Sequence, residues 1–504
     1  MQPNDNVTTG ARRWLVLAIV ASGLLLICID MTVLYVALPR LTRELHATNS
    51  ERLWILNAYT IVVAGLLPGF GTLGDRYGHR RLLSCGLITF AAASLSAAYA
   101  PTASMLIVAR AGLGVGAALM MPATLAIIRA TFVDLRERAL ALGLWAGVAS
   151  AGMATGPLIA GLLLTRFDWG AVFLINVPVV AIALVGTLYF VPRRAAPGGP
   201  PWDIAGSAQL LLALTALIYA IKEPARVHWS AWKLSGALLL AAATFIIHLR
   251  GQRRRTQPLL DLTLFRIPDF GGAFAAACLG TAGAVGLELV MSQHLQLVEQ
   301  RAPLAAALVL LPLSIAGLAA APVAGRLLHR WPAAKVACTG FTLAALCATT
   351  LALLPTALLH FELLRLLLLA GIGVGIATTV TFAATTIMNA APPERSGMAA
   401  SIEEVGFELG GALGVAVFGS IMTIVYAITL QPPAVFHAPA FIHDSLDETL
   451  RIAATLPAAE GAILRAAGAQ SFTTALQAVL LGVALLWFAT GMGILARGGR
   501  KPVK

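Results

Sequence analysis

Three glutamates, Glu403, Glu404 and Glu408, interrupt a long apolar stretch in the last quarter of the chain. A carboxylate within a membrane is costly, so it usually faces a protein interior or a water-filled cavity, where it binds ions or carries protons. A loop that ends late would explain Glu403 and Glu404, but residues 409–425 follow Glu408 without a further charge. Glu408 is therefore a candidate for binding a cationic group, for carrying a proton, or for both.

Helical geometry separates these glutamates into two groups. At 100° per residue, Glu404 and Glu408 share one face, whereas Glu403 lies close to Gly410 on another face. Gly410 belongs to a stripe of small residues spaced for close helix packing, Gly406, Gly410 and Gly414. We predict that Glu404 and Glu408 bind substrate and that Glu403 belongs to a packing edge.

Asp30 and Arg110 are further charges deep within apolar segments. Asp30 lies about 17 residues into the first predicted span, 13–36, and Arg110 about seven residues into the fourth, 103–127. Because the fourth span runs the opposite way, a rise of 1.5 Å per residue gives the two residues a similar depth in the membrane. Such charges could act as a proton-coupling switch or as a static ion pair.

Aromatic rings and one more acid could also meet a cationic ligand. Cation–π attraction makes Tyr35, Trp54, Tyr59 and Phe407 candidates, although aromatic side chains in membrane helices more often pack or lie at the interface. Glu288 could attract cations at the rim of a cavity or could simply be interfacial.

The composition identifies the elements that carry these residues as membrane-spanning helices. The 504 residues are 59% hydrophobic and only 12% charged, about half the charged fraction of ordinary globular domains. The net charge of +12 comes from short basic clusters between apolar spans, which does not indicate nucleic-acid binding. Five cysteines fall within apolar spans, so no disulfide framework or metal site is implied. We find no enzyme motif and expect no cofactor.

Fourteen stretches are long enough to cross a membrane, which requires roughly 20 apolar residues. Numbered in chain order, the predicted spans are 13–36, 52–70, 81–99, 103–127, 138–163, 171–191, 202–222, 231–249, 270–292, 304–327, 334–354, 361–388, 398–428 and 472–496. With both termini in the cytoplasm, the inside segments hold 23 Lys and Arg residues and the outside loops hold 10. The positive-inside rule favours this orientation.

An internal repeat indicates two related halves. Residues 111–116 of span 4 read AGLGVG and residues 370–375 of span 12 read AGIGVG, while residues 71–78 (GTLGDRYG) have a weaker copy at 325–331 (GRLLHRW). Spans 1–6 therefore repeat as spans 9–14, an architecture typical of transporters. The predicted units are a six-helix half (1–200), two inserted helices (201–250), a cytoplasmic connection (251–269) and a second six-helix half (270–504).

The one sizeable outer loop, 431–471, has two segments with mixed apolar and charged faces. We predict short amphipathic helices at 443–454 and 457–467, which cap the bundle or shape an exit. Glu362 and Arg365, three residues apart at the start of span 12, are predicted to form a surface pair.

The motifs together resemble the major facilitator superfamily, and within it the fourteen-span drug:proton antiporters, over nearly the whole chain. The segments that carry the resemblance are 71–81 between spans 2 and 3, Arg110 with Gly114 and Gly116 in span 4, 30–39 in span 1, Gly156 with Pro157 in span 5, and 173–178 in span 6. Residues 403–410 (EEVGFELG) look like the branch that exports quaternary ammonium compounds and other lipophilic cations. Leu113 and Asn57 depart from the pattern, where relatives carry Gln and an acid, which leaves the range of cations open.

The resemblance implies roles for these motifs. It implies that Asp30 and Arg110 meet beside the cavity and couple protons, and that Asn57 lies at the substrate site. It implies a gating latch at the turn between spans 2 and 3, made by Gly71, Asp75, Arg76, Gly78, Arg80 and Arg81. It also implies an antiporter motif in span 5 that favours export over uptake, made by Gly152, Gly156 and Pro157.

From the residues and the resemblance together, we predict an all-α bacterial inner-membrane protein that exchanges lipophilic cations for protons by alternating access. It is expected to act as a monomer driven by the proton gradient. An exporter of a neutral or anionic natural product, a non-transporting sensor or scaffold, and an uptake symporter remain alternatives.

Overall fold

The computed structural model describes residues 10–193, 202–225, 229–255, 262–328, 330–354, 362–390, 396–431, 443 and 445–498. These residues are helical almost throughout, and no strand occurs among them. We number the long helices so that each carries the number of its predicted span. They are α1 (Gly10–Glu44), α2 (Asn49–Tyr77), α3 (His79–Ala98), α4 (Ala103–Thr131), α5 (Leu135–Leu164), α6 (Ala171–Phe190), α7 (Ile204–Lys222), α8 (Ala231–Arg253), α9 (Pro268–Gln293), α10 (Pro303–Leu328), α11 (Ala333–Leu353), α12 (Glu362–Ala390), α13 (Ser396–Thr429) and α14 (Ala458–Gly498).

The helices confirm the predicted membrane fold. Thirteen helices in the described residues are long and apolar enough to cross a membrane, and α5 contains a shorter apolar segment, Ala151–Leu164, within its 30 residues. Helix α6 consists of Ala171–Leu174 and Asn176–Phe190 with a break at Ile175. A π-helix, His294–Val298, extends α9.

The ends of the helices follow capping residues rather than the apolar stretches. Helix α1 continues to Glu44, beyond the predicted end of span 1 at residue 36, and Arg40 there donates to Glu44 one turn later. Helix α2 begins where the Thr48 side chain and Glu51 form a reciprocal capping box. Hydrophobicity predicts where these helices cross the membrane, whereas polar side-chain contacts accompany the extension of α1 and the start of α2.

The described part of the outer loop contains one short helix where two were predicted. The loop helix, Leu446–Ala453, lies within the predicted segment 443–454. The second predicted helix, 457–467, is wrong as a separate element, because its residues form the start of the 41-residue α14. Residues 432–442 and 444 lie outside the described part of the chain.

The helices pack into two large hydrophobic cores with a small cluster between them. One core is built mainly from α1–α6, and the other from α9–α14 with the loop helix. Helix α7 forms the third cluster with α2 and α13, so it covers a seam between the two large cores. Helix α8 packs mainly against α7, and its most apolar segment is only 11% buried.

Glycines bring several helix backbones into close contact, as their sequence pattern predicts. A Cβ atom added to Gly152 or Gly156 of α5 would meet α1 at 2.8 Å or less. Gly114 and Gly116 likewise bring α4 against α2 and α3. On α13, Gly406 faces α9, and a Cβ at Gly414 would lie 2.4 Å from the carbonyl oxygen of Ala282 in α9. We call the contacts of Gly410 and Gly414 with α9 the glycine seam of α13.

A side chain at Gly410 should disrupt this seam. Its Cβ would lie 2.2 Å from the carbonyl oxygen of Cys278, so one helix must shift, and overpacking of this kind costs about 1–3 kcal/mol. Gly410→Ala should therefore lower the thermal unfolding temperature of the purified protein by several degrees. Gly411→Ala is the matched control, because its Cβ would meet Thr60 at an ordinary 3.7 Å. Equal unfolding temperatures for the two variants would contradict close packing at Gly410.

Candidate functional site

Asp30 and Arg110 form a buried ion pair between α1 and α4, as predicted. Their side chains are 0% and 2% exposed, and the guanidinium of Arg110 donates to the carboxylate of Asp30. The Nε of Arg110 also donates to the carbonyl oxygen of Ile55 on α2, at 3.2 Å. A fully buried charge pair survives only when such extra hydrogen bonds satisfy its remaining groups. The proton-coupling role of the pair remains a prediction.

Asn176 belongs to this site although the sequence analysis gave it no role. Its Nδ2 donates to Asp30 Oδ1 at 3.2 Å and to Ser94 Oγ at 3.2 Å, which joins α6 and α3 to the ion pair. Asn176 is 0% exposed and opens the second part of α6, directly after the break at Ile175. The feature of the sequence that could have identified Asn176 is a single amide side chain within an apolar span.

Tyr59 lies against the same pair but presents its ring to the protein itself. The Arg110 guanidinium carbon lies 4.7 Å from the centre of the Tyr59 ring. Tyr59 is 0% exposed, and its hydroxyl has no hydrogen-bond partner in the described structure. One ring face predicted to stack on a substrate cation is therefore already covered by Arg110.

Glu408 is the buried carboxylate opposite this group. It is 2% exposed, and its Oε2 has no hydrogen-bond partner among the described residues. Glu408 interacts electrostatically with Arg110 and Glu404 and lies near Tyr59, and Glu404 lies near Cys28 of α1. Glu404 and Glu408 therefore lie on the side of α13 that faces the first core, as their shared helical face predicts.

Tyr35 and Glu288 extend the site along α1 and α9. Tyr35 is 6% exposed and lies near the charged groups of Glu288, Arg110 and Glu408. Glu288 is half-buried and lines a small pocket with Pro157 of α5 and Ser314 of α10. It thus lies at the seam between α5, α9 and α10 rather than on an exposed rim.

Other predicted substrate residues lie apart or have no contact that assigns them a role. The Lys222 Nζ lies 4.2 Å from the centre of the Trp54 ring, so Trp54 belongs to the contact of α2 with α7. Phe407 packs, half-buried, against the second core. Asn57 is fully buried, and neither side-chain polar atom has a hydrogen-bond partner in the described chain.

The predicted gating latch forms the turn between α2 and α3. Gly78 has a φ of 94°, which only glycine adopts readily, and it ends α2 and begins α3. Arg76 lies over the Tyr77 ring, and Arg80 donates to the carbonyl oxygen of Leu188 in α6. Gly71 faces Pro122 of α4, Arg81 is exposed, and the side chain of Asp75 lies outside the described part.

Polar contacts join the two cores at the end of the bundle that carries the loop helix, the predicted outer face. Arg52 of α2 donates to Gln293 of α9 at 3.0 Å and lies 3.7 Å from Asp447 of the loop helix. Further hydrogen bonds at this end connect Asn49 with Thr423, Ser292 with the carbonyl oxygen of Tyr35, and Gln296 with that of Val36. The outer ends of the two cores are therefore closed against each other.

Glu362 and Arg365 do not form an isolated surface pair, which corrects the prediction. The Arg365 side chain is 2% exposed and donates to both Glu362 and Glu299. Arg301 donates to the same two glutamates, and His294 Nδ1 lies 3.5 Å from Glu299. Spacing along one helix could not reveal this network, because Glu299 lies beyond the end of α9.

Glu299 should stabilise this network except at strongly acidic pH. Burial opposes its ionisation, but contacts with His294, Arg365 and Arg301 lower the pKa of Glu299 from 4.5 to about 2. The contribution is therefore present above the ordinary value and is lost as the pH falls through about 2. Glu299→Gln should lower the thermal unfolding temperature at pH 7, and the difference from the unmodified protein should shrink as the pH falls from about 4.5 towards 2.

Glu460→Gln is the control for this pH profile, because Glu460 is exposed near the start of α14. It should leave the unfolding temperature unchanged throughout. A Glu299→Gln difference that stays constant from pH 7 to pH 3 would contradict the assigned contacts.

Comparisons with known proteins place this geometry in context. The family model for the Major Facilitator Superfamily matches residues 20–415. The methyl viologen resistance protein SmvA of Salmonella typhimurium strain LT2 is 38% identical over 497 residues, which cover 97% of this chain and all of that protein. The multidrug efflux pump LfrA of Mycolicibacterium smegmatis is 34% identical over 493 residues, which cover 97% of each chain. A bacterial homolog of the human lysosomal transporter Spinster, solved in an inward-facing and unoccupied conformation, shares the fold with a TM-score of 0.64 at 16% identity, covering 98% of this chain and 100% of that one.

Proposed function

Since the chain belongs to the Major Facilitator Superfamily, we propose that it exports lipophilic and quaternary ammonium cations in exchange for protons. The names of two relatives, one tied to methyl viologen resistance and one to multidrug efflux, support export of such compounds. The excess of basic residues on one side supports cytoplasmic termini in a bacterial inner membrane.

The observation that carries this proposal is the unsatisfied carboxylate of Glu408. An acceptor at 2% exposure without a hydrogen-bond partner in the described residues can take up a proton or pair with an organic cation that reaches it. An anionic substrate would be repelled by Glu404 and Glu408 together. A cation with an apolar body matches both this charge and the apolar surroundings.

Competition for one carboxylate would produce antiport. Glu408 binds either a proton or the cation, so each must leave before the other binds, and this negative coupling is reciprocal. Asp30, with Arg110 as its partner in this state, would carry the main coupled proton, and Glu408 would carry a second proton that competes with the cation. Alternating access would follow when the closed outer ends separate and the opposite ends close.

Transport into liposomes tests the proposal directly. The purified protein is reconstituted with an imposed pH gradient, and movement of a quaternary ammonium dye is followed by fluorescence. We expect movement against the proton flow that stops when an ionophore collapses the gradient. Dye movement that is independent of the gradient would remove the proton coupling, and transport of only neutral or anionic compounds would remove the cation assignment.

A further inference from the structure

A cavity of about 720 Å³ lies apart from Glu408 and the Asp30–Arg110 pair, at the predicted cytoplasmic ends of α3, α4 and α6 and beside the α2–α3 turn. The turn at Gly78 forms one wall, and the residues that follow α6 form another. Ser84, Cys85 and Ile127 lie deeper, along α3 and α4. Its volume falls within the range of pockets that bind small ligands.

Among the described residues, positive charge lines the cavity and no carboxylate balances it. Arg80, Arg81 and Arg193 contribute to its walls, and no Asp or Glu occurs among the described lining residues. Arg80 donates to the Leu188 carbonyl oxygen and is repelled by Arg193. Neither Arg81 nor Arg193 makes an ion pair within the described structure. Three guanidinium groups around one opening predict an anion that bridges them, because guanidinium matches phosphate geometry.

The surroundings of the cavity identify the source of that anion as the membrane. Tyr77 and Tyr189 are 52% and 75% exposed beside it, and exposed tyrosines mark the headgroup level of a bilayer. Deeper in the membrane, α3 and α6 expose Ile88 and Val185, which acyl chains would cover. A free metabolite would not cover this apolar surface.

We propose that this cavity binds the phosphate headgroup of an anionic phospholipid from the predicted cytoplasmic leaflet. Basic pockets between membrane helices are suited to such headgroups. The bound lipid would bridge the α2–α3 turn, through Arg80 and Arg81, to Arg193 after α6. This site is separate from Glu408, so the proposal stands whether or not the substrate is a cation.

Cys85 provides a probe, because it is exposed and lines the cavity. The protein is placed in nanodiscs of phosphatidylcholine, with or without phosphatidylglycerol, and reacted with N-ethylmaleimide. Peptide mass spectrometry then follows modification of Cys85, with half-buried Cys347 of α11 as an internal reference. Phosphatidylglycerol should slow the reaction of Cys85 severalfold and leave that of Cys347 unchanged. Equal Cys85 rates in both lipids would overturn the proposal.

Charge variants identify what holds the lipid. Arg81→Gln with Arg193→Gln should abolish the protection, whereas the two lysine replacements should retain it. Arg254→Gln, at the same end of the bundle on α8's C-terminal side, should behave like the unmodified protein. Protection that survives the glutamine pair, or that the lysine pair also loses, would overturn the assignment to these charges. Equal protection by inorganic phosphate in phosphatidylcholine would assign the site to a free anion instead of a lipid.

Discussion

Replacing Glu408 with glutamine should abolish pH-gradient-driven movement of a quaternary ammonium dye. The amide keeps the shape of the side chain but can neither neutralise a cation nor exchange a proton at the same position. Removing one partner of a buried charge pair costs about 2–5 kcal/mol, so dye affinity should fall at least about 30-fold. The measurements are dye binding by fluorescence and transport in liposomes.

Glu403→Gln is the matched control for this change. Glu403 and Glu408 lie on the same helix, but Glu403 is half-buried on the side assigned to packing. Its variant should keep most of the transport. Dye transport that survives in Glu408→Gln, or is lost equally in both variants, would contradict the role assigned to Glu408.

Asp30→Asn should separate proton coupling from substrate binding. The variant leaves the Arg110 guanidinium buried without a counter-charge, and breaking a buried pair destabilises a protein by about 3–5 kcal/mol, less here because the amide oxygen still accepts a hydrogen bond. Gradient-driven dye movement should be lost, while dye binding should stay close to that of the unmodified protein. Thermal unfolding measures the loss of stability in the same preparation.

Asp168→Asn is the control for this variant, because it removes an aspartate–arginine pair that is exposed to solvent. Asp168 is 87% exposed and pairs with Arg40 at 2.8 Å, so its loss should change stability by about 0–1 kcal/mol and leave transport intact. Loss of dye binding in Asp30→Asn, in protein that still unfolds cooperatively, would indicate that Asp30 contacts the substrate. The proposed division of roles would then be wrong.

The sequence could predict the ion pair because charges inside apolar spans are rare, their depth follows from helix rise, and the family resemblance puts spans 1 and 4 beside the same cavity. Asp30 and Arg110 stood out for this reason. The other partners of the pair could not be predicted in the same way. Asn176 carries no charge, and the Ile55 carbonyl oxygen is a backbone atom that depends on how α2 approaches α4.

Long-range packing explains the remaining differences. Whether Trp54 faces a cavity depends on which helices the inserted α7 covers, and the repeat pattern says nothing about an insert. The contact of Lys222 with Trp54 is therefore visible only in the folded chain. Arg365 likewise looked superficial because it follows Glu362 by three residues at the start of span 12, while its other partner, Glu299, is 66 residues away.

The glycine seam of α13 would also keep two charges together, Glu408 and Glu288, when the two halves move relative to each other. Gly410 and Gly414 bring the backbone of α13 against α9, so Glu408 and the Glu288 of α9 lie on two closely packed helices. Asp30 and Arg110 belong to the opposite half. Any motion that separates the outer ends changes the spacing between the two halves. Coulomb energy varies inversely with separation. By holding Glu408 in place, uncharged glycines would therefore set how strongly a cation at Glu408 and a proton at Asp30 affect each other's binding.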